Sequence, residues 1–159
     1  RVTRSGVGFK EFKFRAAELG KLKAFVGWLD SAKYDDGTPV AGVAAVHEYG
    51  SPRMNIPPRP FMRPTTEEKH GEWMRIIEQG AKAILRGDST AEQVMELLGL
   101  KASGDIKIAI KNVTEPALEQ STIDTRLSKK ADGKTIGNIN KPLVEEAIML
   151  NSVTYEVQS

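Results

Sequence analysis

Apolar residues recur at helical or strand spacing in the first third of the chain. Residues 9–20 carry them three or four positions apart, which predicts a short amphipathic helix. Residues 21–29 then alternate on one parity, which predicts a strand with apolar side chains on both faces. The small apolar run 40–49 predicts a tightly packed short helix, and Gly50 is placed to end it.

Two longer helices are predicted in the middle of the chain, each with its own start signal. Residues 65–68 form a capping box, and the apolar stripe behind it predicts a helix that Gly87 closes. Residues 89–92 form a second capping box. Two glycines weaken the helix that follows, so we expect it to break before residues 106–110.

The chain ends on a pattern typical of a strand. Residues 152–157 alternate between polar and apolar side chains, and we expect this strand to pair with residues 21–29. A length of 159 residues fits one domain. The sequence therefore predicts a single α+β domain, in which a small antiparallel or mixed β-sheet is packed by two or three α-helices.

Two segments depart from these periodic patterns. Residues 51–64 contain five prolines, which predicts an extended, stiff arm. Such an arm can present Phe61 and Met62 to a neighbouring subunit at little entropic cost, or it can be a rigid loop that packs on its own domain. Residues 114–142 are polar and poor in apolar side chains, which predicts a long polar loop.

Composition and charge narrow the function classes only slightly. Hydrophobic residues make up 40% of the chain and charged residues 28%, an ordinary globular composition. The net charge of +2 gives no strong field toward nucleic acid. The chain has no cysteine, so disulfide and thiolate chemistry are excluded. No apolar run reaches the roughly 18 residues of a transmembrane helix, so we expect no membrane partner.

No constellation in the sequence indicates catalysis. With two distant histidines and no cysteine, the ligands of a zinc site are missing. The tripeptide Gly133-Lys134-Thr135 matches the end of a phosphate-binding loop, but Ser128 stands where that loop needs glycine. No nucleophile elbow occurs. We therefore expect no catalytic residue, no metal and no cofactor, although a small enzyme stays open as an alternative.

A basic stretch within the polar segment raises a second alternative. Residues 126–141 could form a nucleic-acid-binding module whose cations face phosphate. A solvated loop is the simpler interpretation, because no aromatic residues are interleaved for base stacking. The basic residues concerned include Arg126, Lys129, Lys130 and Lys134.

An ordered set of motifs resembles a family of tailed-bacteriophage neck, tail-completion and virion-morphogenesis proteins. A His-Glu-aromatic-Gly turn at residues 46–50 precedes the segment Ile-Pro-Pro-Arg-Pro-Phe-Met-Arg-Pro at 56–64, and a long helix follows. Downstream, residues 116–126 read Pro-x-Leu-x-x-Ser-Thr-Ile-x-x-Arg, and 141–155 resemble the family's C-terminal region. One departure is clear, because Glu145-Glu146-Ala147 stands where the family commonly has Asp-Thr-Gly.

The resemblance implies a structural protein of the virion. It implies a homo-oligomeric ring, typically six-fold, at the head–tail junction, assembled in the bacterial host cytoplasm. Other neck, connector, tail-tube or sheath proteins would be its partners, and genomic DNA would pass through its lumen without sequence readout. Arg59 and Arg63 would pair with acidic residues of a neighbour. The expected interface residues are Trp28, Arg59, Pro60, Phe61, Met62, Arg63 and Pro64, and the expected lumen residues are Arg126, Lys129, Lys130 and Lys134.

Overall fold

A two-stranded antiparallel sheet joins the two ends of the fold. The computed structural model describes residues 6–133, 139–140, 143 and 147–159. The strand near the start of the chain pairs with the last strand, as the alternating patterns predict, and Phe25 lies opposite Glu156. The elements are α1 (Gly6–Leu19), β1 (Lys23–Gly27), α2 (Val40–Tyr49), a 3₁₀ turn (Pro52–Met54), α3 (Met62–Arg86), α4 (Ala91–Asn112), α5 (Gln120–Ala131), α6 (Ile148–Asn151) and β2 (Thr154–Gln158). The predicted α+β class is confirmed.

Helix α4 is the central element, because it packs against both strands, α1, α3 and α6. Its contact with the sheet explains why it does not break at its glycines, although the sequence predicted a break there. A Cβ at Gly99 would lie 2.4 Å from the ring of Tyr155, so this glycine admits the ring into the helix surface. The predicted break before residue 106 is therefore wrong, and α4 is continuous.

Helices α3 and α4 form a closely packed antiparallel pair joined by a short turn. Gly87 ends α3 in the left-handed conformation, as predicted. Thr90 then caps α4 in a reciprocal box with Gln93, one residue later than the box assigned from sequence. Along the pair, a Cβ at Gly80 would lie 2.4 Å from Val94. Because Gly80 has no side chain, the axes of the two helices can approach closely at this point.

The main core lies between α2, α4 and the C-terminal segment. Phe61 is 2% exposed within it and meets Trp28 edge-to-face, with ring centroids 6.0 Å apart. Trp28 also donates its indole N–H to the Met149 carbonyl at 2.8 Å. The buried members are Val40, Ala44, Phe61, Ile106, Ile110, Leu143, Met149, Leu150 and Val153. A smaller cluster of Ile84, Ala91 and Val94 lies under α1.

The polar segment 114–142 is not the loop that its composition predicts. Residues 120–131 form helix α5, in which Arg126 is the buried side chain. The segment was predicted as a loop because it contains few apolar residues. A helix can nevertheless form there, since one buried polar side chain and residues that favour helix stabilise it. Residues 134–138, 141–142 and 144–146 lie outside the described residues. Among the described helices, none combines the length and apolar content that a bilayer crossing requires.

Candidate functional site

The carboxylate of Glu48, in the last turn of α2, caps the start of α3. Its side chain is 3% exposed. Oε2 accepts from the backbone N–H groups of Phe61 at 2.7 Å and Met62 at 2.9 Å, and Oε1 accepts from that of Arg63 at 3.1 Å. Since α3 has no side-chain cap of its own, Glu48 satisfies donors that a helix start leaves unpaired.

This remote cap explains why α3 begins three residues earlier than predicted. Thr65, which the sequence suggested as N-cap, lies inside the first turns and donates its hydroxyl to the Phe61 carbonyl at 2.6 Å. Burial alone would raise the pKa of Glu48. The backbone donors of Phe61, Met62 and Arg63, together with the Arg63 side chain, outweigh that effect and hold the pKa below its usual value.

Arg63 finds its acidic partner within its own chain. Its Nε donates to Glu48 Oε1 at 3.0 Å, and its guanidinium lies 4.8 Å from the centre of the Tyr49 ring. The guanidinium stays more than half exposed. Glu48 of the same chain is thus one acidic partner of Arg63, and the pairing of Arg63 with an acidic residue of a neighbour stays a prediction.

The proline segment lies on its own domain rather than extending away from it. Along residues 58–61 exposed and buried side chains alternate, so Arg59 and Phe61 are buried while Pro58 and Pro60 are exposed. The Arg59 N–H donates to the His47 carbonyl at 2.7 Å. Its guanidinium donates to the carbonyls of Pro116 at 2.8 Å and Ala117 at 3.1 Å.

These contacts correct the arm prediction for two residues. Arg59 and Phe61 are 5% and 2% exposed, so neither side chain is available to a neighbour, and their assignment to an interface is wrong. Pro60 and Pro64 are exposed, and no contact tests their assignment. The physical reason is the alternation of extended backbone, which turns every second side chain toward the core.

Trp28, Met62 and Arg63 come together along an open groove of about 520 Å³. The groove runs between β1, the outer side of α2 and the first turns of α3, and small side chains such as Ala41 and Ala45 form one wall. Trp28 and Met62 are half-buried against their own core and still border this groove. Their assignment to an interface stays a prediction.

The outward face of α4 carries an apolar stripe that the sequence analysis missed. Leu97, Leu100 and Ile108 are 55%, 60% and 58% exposed. Their spacing places them on one side of the helix, opposite the core-facing positions such as Ala102 and Ile106. The signal was present in the sequence, since apolar residues on two faces of one helix are more than a single core requires.

Two basic side chains that the sequence placed in the proline arm and in the polar loop are buried next to the same cleft. Arg59 and Arg126 line a second, larger cleft of about 1070 Å³, together with His47 and Lys129. Arg126 is 4% exposed and donates to the Ile139 carbonyl at 3.2 Å. Its assignment to a lumen surface is therefore wrong. Lys129 is half-buried, Lys130 is exposed, and Lys134 lies outside the described residues.

Among the described residues of this cleft, Arg126 acts electrostatically on Arg59, and both arginines act on His47. Burial lowers the pKa of Arg59, and the neighbouring Arg126 lowers it further. Burial also lowers the pKa of His47, as do both arginines, so its imidazole is neutral at pH 7. His47 Nδ1 is buried and has no hydrogen-bond partner within the described part of the chain.

The described residues contain no group of three or more His, Asp or Glu side chains that could hold a metal ion. No family model, no characterised protein and no solved structure matches the chain at a significant level.

Proposed function

We propose that this chain is a structural subunit of a tailed-phage virion, which forms a ring at the head–tail junction. The observation that carries the proposal is a pair of apolar surfaces that share no residue. One is the stripe of Leu97, Leu100 and Ile108 on α4, and the other is the groove bordered by Trp28 and Met62. Single exposed apolar residues are ordinary on a protein surface, whereas a stripe and an open groove indicate contact sites.

Two different surfaces that fit each other generate a head-to-tail contact. Such a heterologous interface closes into a ring when the rotation that relates one copy to the next is a whole fraction of 360°. Each copy then uses both of its surfaces. The resemblance in residues 46–64 and downstream supplies the biological setting: tail completion, tail termination or neck connection, with other neck and tail proteins as partners. In this proposal the stripe takes the place of the proline arm as the contact with a neighbouring copy.

The oligomeric state tests the assembly step. We expect the wild-type protein to sediment as a closed ring, and negative-stain images to show a central hole. Leu100→Glu places a charge in the stripe and should yield a monomer with an unchanged circular dichroism spectrum. Gln79→Glu adds the same charge on the exposed side of α3 and serves as the matched control. A wild-type protein that stays monomeric as its concentration rises would contradict the proposal.

A mixing experiment tests whether the contact is head-to-tail. Ala45 is exposed on the groove wall, so Ala45→Arg should block the groove without disturbing the core. Leu100→Glu retains a working groove, and Ala45→Arg retains a working stripe. Mixed together, they should form a dimer containing one copy of each, whereas each alone stays monomeric. Failure to form this mixed dimer would refute the pairing of stripe with groove.

Immunogold labelling of virions tests the location. Label concentrated where head meets tail supports the proposal, and label along the tail shaft or absent from particles contradicts it. Salt-sensitive binding of duplex DNA by the monomeric Leu100→Glu variant would instead favour the nucleic-acid-binding alternative.

A further inference from the structure

We propose that β2 of one copy adds to the open edge of β1 in the next copy, so that a backbone contact accompanies the stripe in the groove. The inference rests on the head-to-tail assembly proposed above, and it names the segments that meet there. It begins with the sheet, which has two strands and therefore leaves one edge of each strand open.

The open edges carry backbone groups that the fold does not use. In an antiparallel pair, alternate residues direct their N–H and C=O groups away from the partner strand. Within the described part of the chain, the backbone of β1 and β2 forms hydrogen bonds in their mutual pairing and to no other segment. Each open edge is therefore a template on which another strand can pair.

The backbone of β1 can be reached from the groove. Gly27 lines the groove, and since glycine has no side chain, backbone atoms form that part of the wall. A Cβ built on Gly27 would meet nothing within 4 Å, so the space beside it is open. Val26 and Trp28 border the same space. A segment of a neighbouring copy that reaches the groove can therefore approach β1 directly.

The neighbour's β2 lies close to the stripe that would dock there. Helix α4 carries the stripe and packs against β2, and the ring of Tyr155 covers Gly99 on the sheet-facing side of the helix. The width of one helix, about 10–12 Å, thus separates β2 from the stripe. A copy that docks through Leu100 brings its own β2 toward the groove.

Charge selects β2 rather than a second β1 as the added strand. Tyr155 packs on α4 and lies opposite Val26, so residues of the other parity point away from the helix. On this outer face β1 presents Lys23 and β2 presents Glu156, both exposed. Pairing two β1 strands would place two lysines on one face, whereas β1 with β2 offers opposite charges. Repetition around a ring also keeps the added strand antiparallel to β1, as it is within one chain.

Disulfide cross-linking of the full chain tests the pairing, since the sequence has no cysteine. Phe25→Cys and Glu156→Cys, made in separate copies, each place one thiol on the exposed outer face of the sheet. Under oxidation their mixture should give a covalent dimer, because a disulfide needs Cα atoms within about 7 Å. Each variant alone, or mixed with the control Gln79→Cys on α3, should give none. Lys23→Cys and Gln158→Cys extend the scan by two residues along each strand.

Hydrogen exchange at single-residue resolution gives a readout without substitutions in the strands. In the monomeric Leu100→Glu variant, alternate amides of residues 23–27 should be protected by β2, and the others should exchange freely. In the wild-type ring those others should exchange about tenfold more slowly or less. The exposed turn at residues 35–38 is the control and should exchange equally in both states.

The outcomes separate this inference from the assembly on which it rests. A ring that lacks either the mixed cross-link or the added protection would overturn strand pairing and leave the stripe–groove contact standing. A covalent dimer from Phe25→Cys alone would also overturn it, since that product requires β1 beside β1. A wild-type protein that never assembles would refute the proposed function and this inference with it.

Discussion

Replacing Glu48 by glutamine should destabilise the protein far more than removing its ion-pair partner. The substitution keeps the shape of the side chain and removes its charge, and one of the two acceptor oxygens becomes an amide donor. Glu48 receives three backbone N–H groups and one from Arg63. An amide nitrogen facing buried N–H groups leaves at least one of them unpaired.

The magnitude follows from which contacts are buried. A hydrogen bond to a charged group contributes about 1.5–3 kcal/mol, and an unpaired buried donor costs about 1–3 kcal/mol. Because the remaining oxygen still accepts, we expect Glu48→Gln to lower the free energy of unfolding by about 2 kcal/mol. For a domain of this size that lowers Tm by about 4–8 °C. The Arg63 guanidinium is mostly exposed, so Arg63→Met should cost less than about 1 kcal/mol.

Urea unfolding followed by circular dichroism measures both variants, in a Leu100→Glu background so that assembly does not contribute. The pH dependence adds a second criterion. The pKa of Glu48 is depressed in the folded state, so its contribution is complete above the unfolded pKa near 4.5 and is lost as pH falls through the folded pKa. The stability gap between wild type and Glu48→Gln should therefore shrink in acid. A gap that is constant in acid, or an equal loss from Arg63→Met, would refute the capping role.

Three further substitutions test packing, backbone strain and a buried hydrogen bond by the same unfolding assay. Gly80→Ala should lower the free energy of unfolding by about 1–3 kcal/mol, because its Cβ would collide with the facing helix. Gly71→Ala, in open space on the same helix, should raise it by about 0.5–1 kcal/mol. Equal effects of the two substitutions would contradict the packing argument. Ala147→Gly should stabilise by about 1 kcal/mol, since Ala147 has a φ of 57°, and a loss of stability would argue against strain there. Trp73→Phe should lower the free energy of unfolding by about 1 kcal/mol, because it removes the 2.9 Å hydrogen bond from the indole N–H to Asp105. An unchanged urea midpoint would show that this hydrogen bond does not stabilise the fold.

The elements that local sequence determines were predictable. The bounds of α2, the end of α3 at Gly87 and the pairing of β1 with β2 each follow from a periodic pattern or a glycine in a left-handed position. The turn at Ala147 is instructive, because the resemblance placed glycine there. Ala147 adopts the left-handed conformation, which costs strain that a glycine would avoid.

The features that were missed depend on partners far away in the chain. The start of α3 is set by the carboxylate of Glu48, which accepts from the backbone N–H of Phe61 13 residues later, and no local rule identifies it. Gly99 reads as a helix breaker until Tyr155, more than fifty residues later, is seen to pack against it. Likewise, Arg126 lies in a polar run that predicts solvent exposure, and only tertiary structure buries it, where it donates to the Ile139 carbonyl.

In this structure, the residues of the motif on which the family resemblance rests stabilise the fold. Glu48 caps α3, Arg59 donates hydrogen bonds from the proline segment to residues 116–117, and Phe61 is buried in the core. Most contacts of the motif therefore lie inside one domain. Residues used in this way identify a fold, and they say less about which molecule the fold contacts. Function then has to be sought on surfaces that folding does not need. Leu100 and the groove wall at Ala45 are such surfaces, which is why charges placed there, rather than substitutions in the motif, separate failure to assemble from failure to fold.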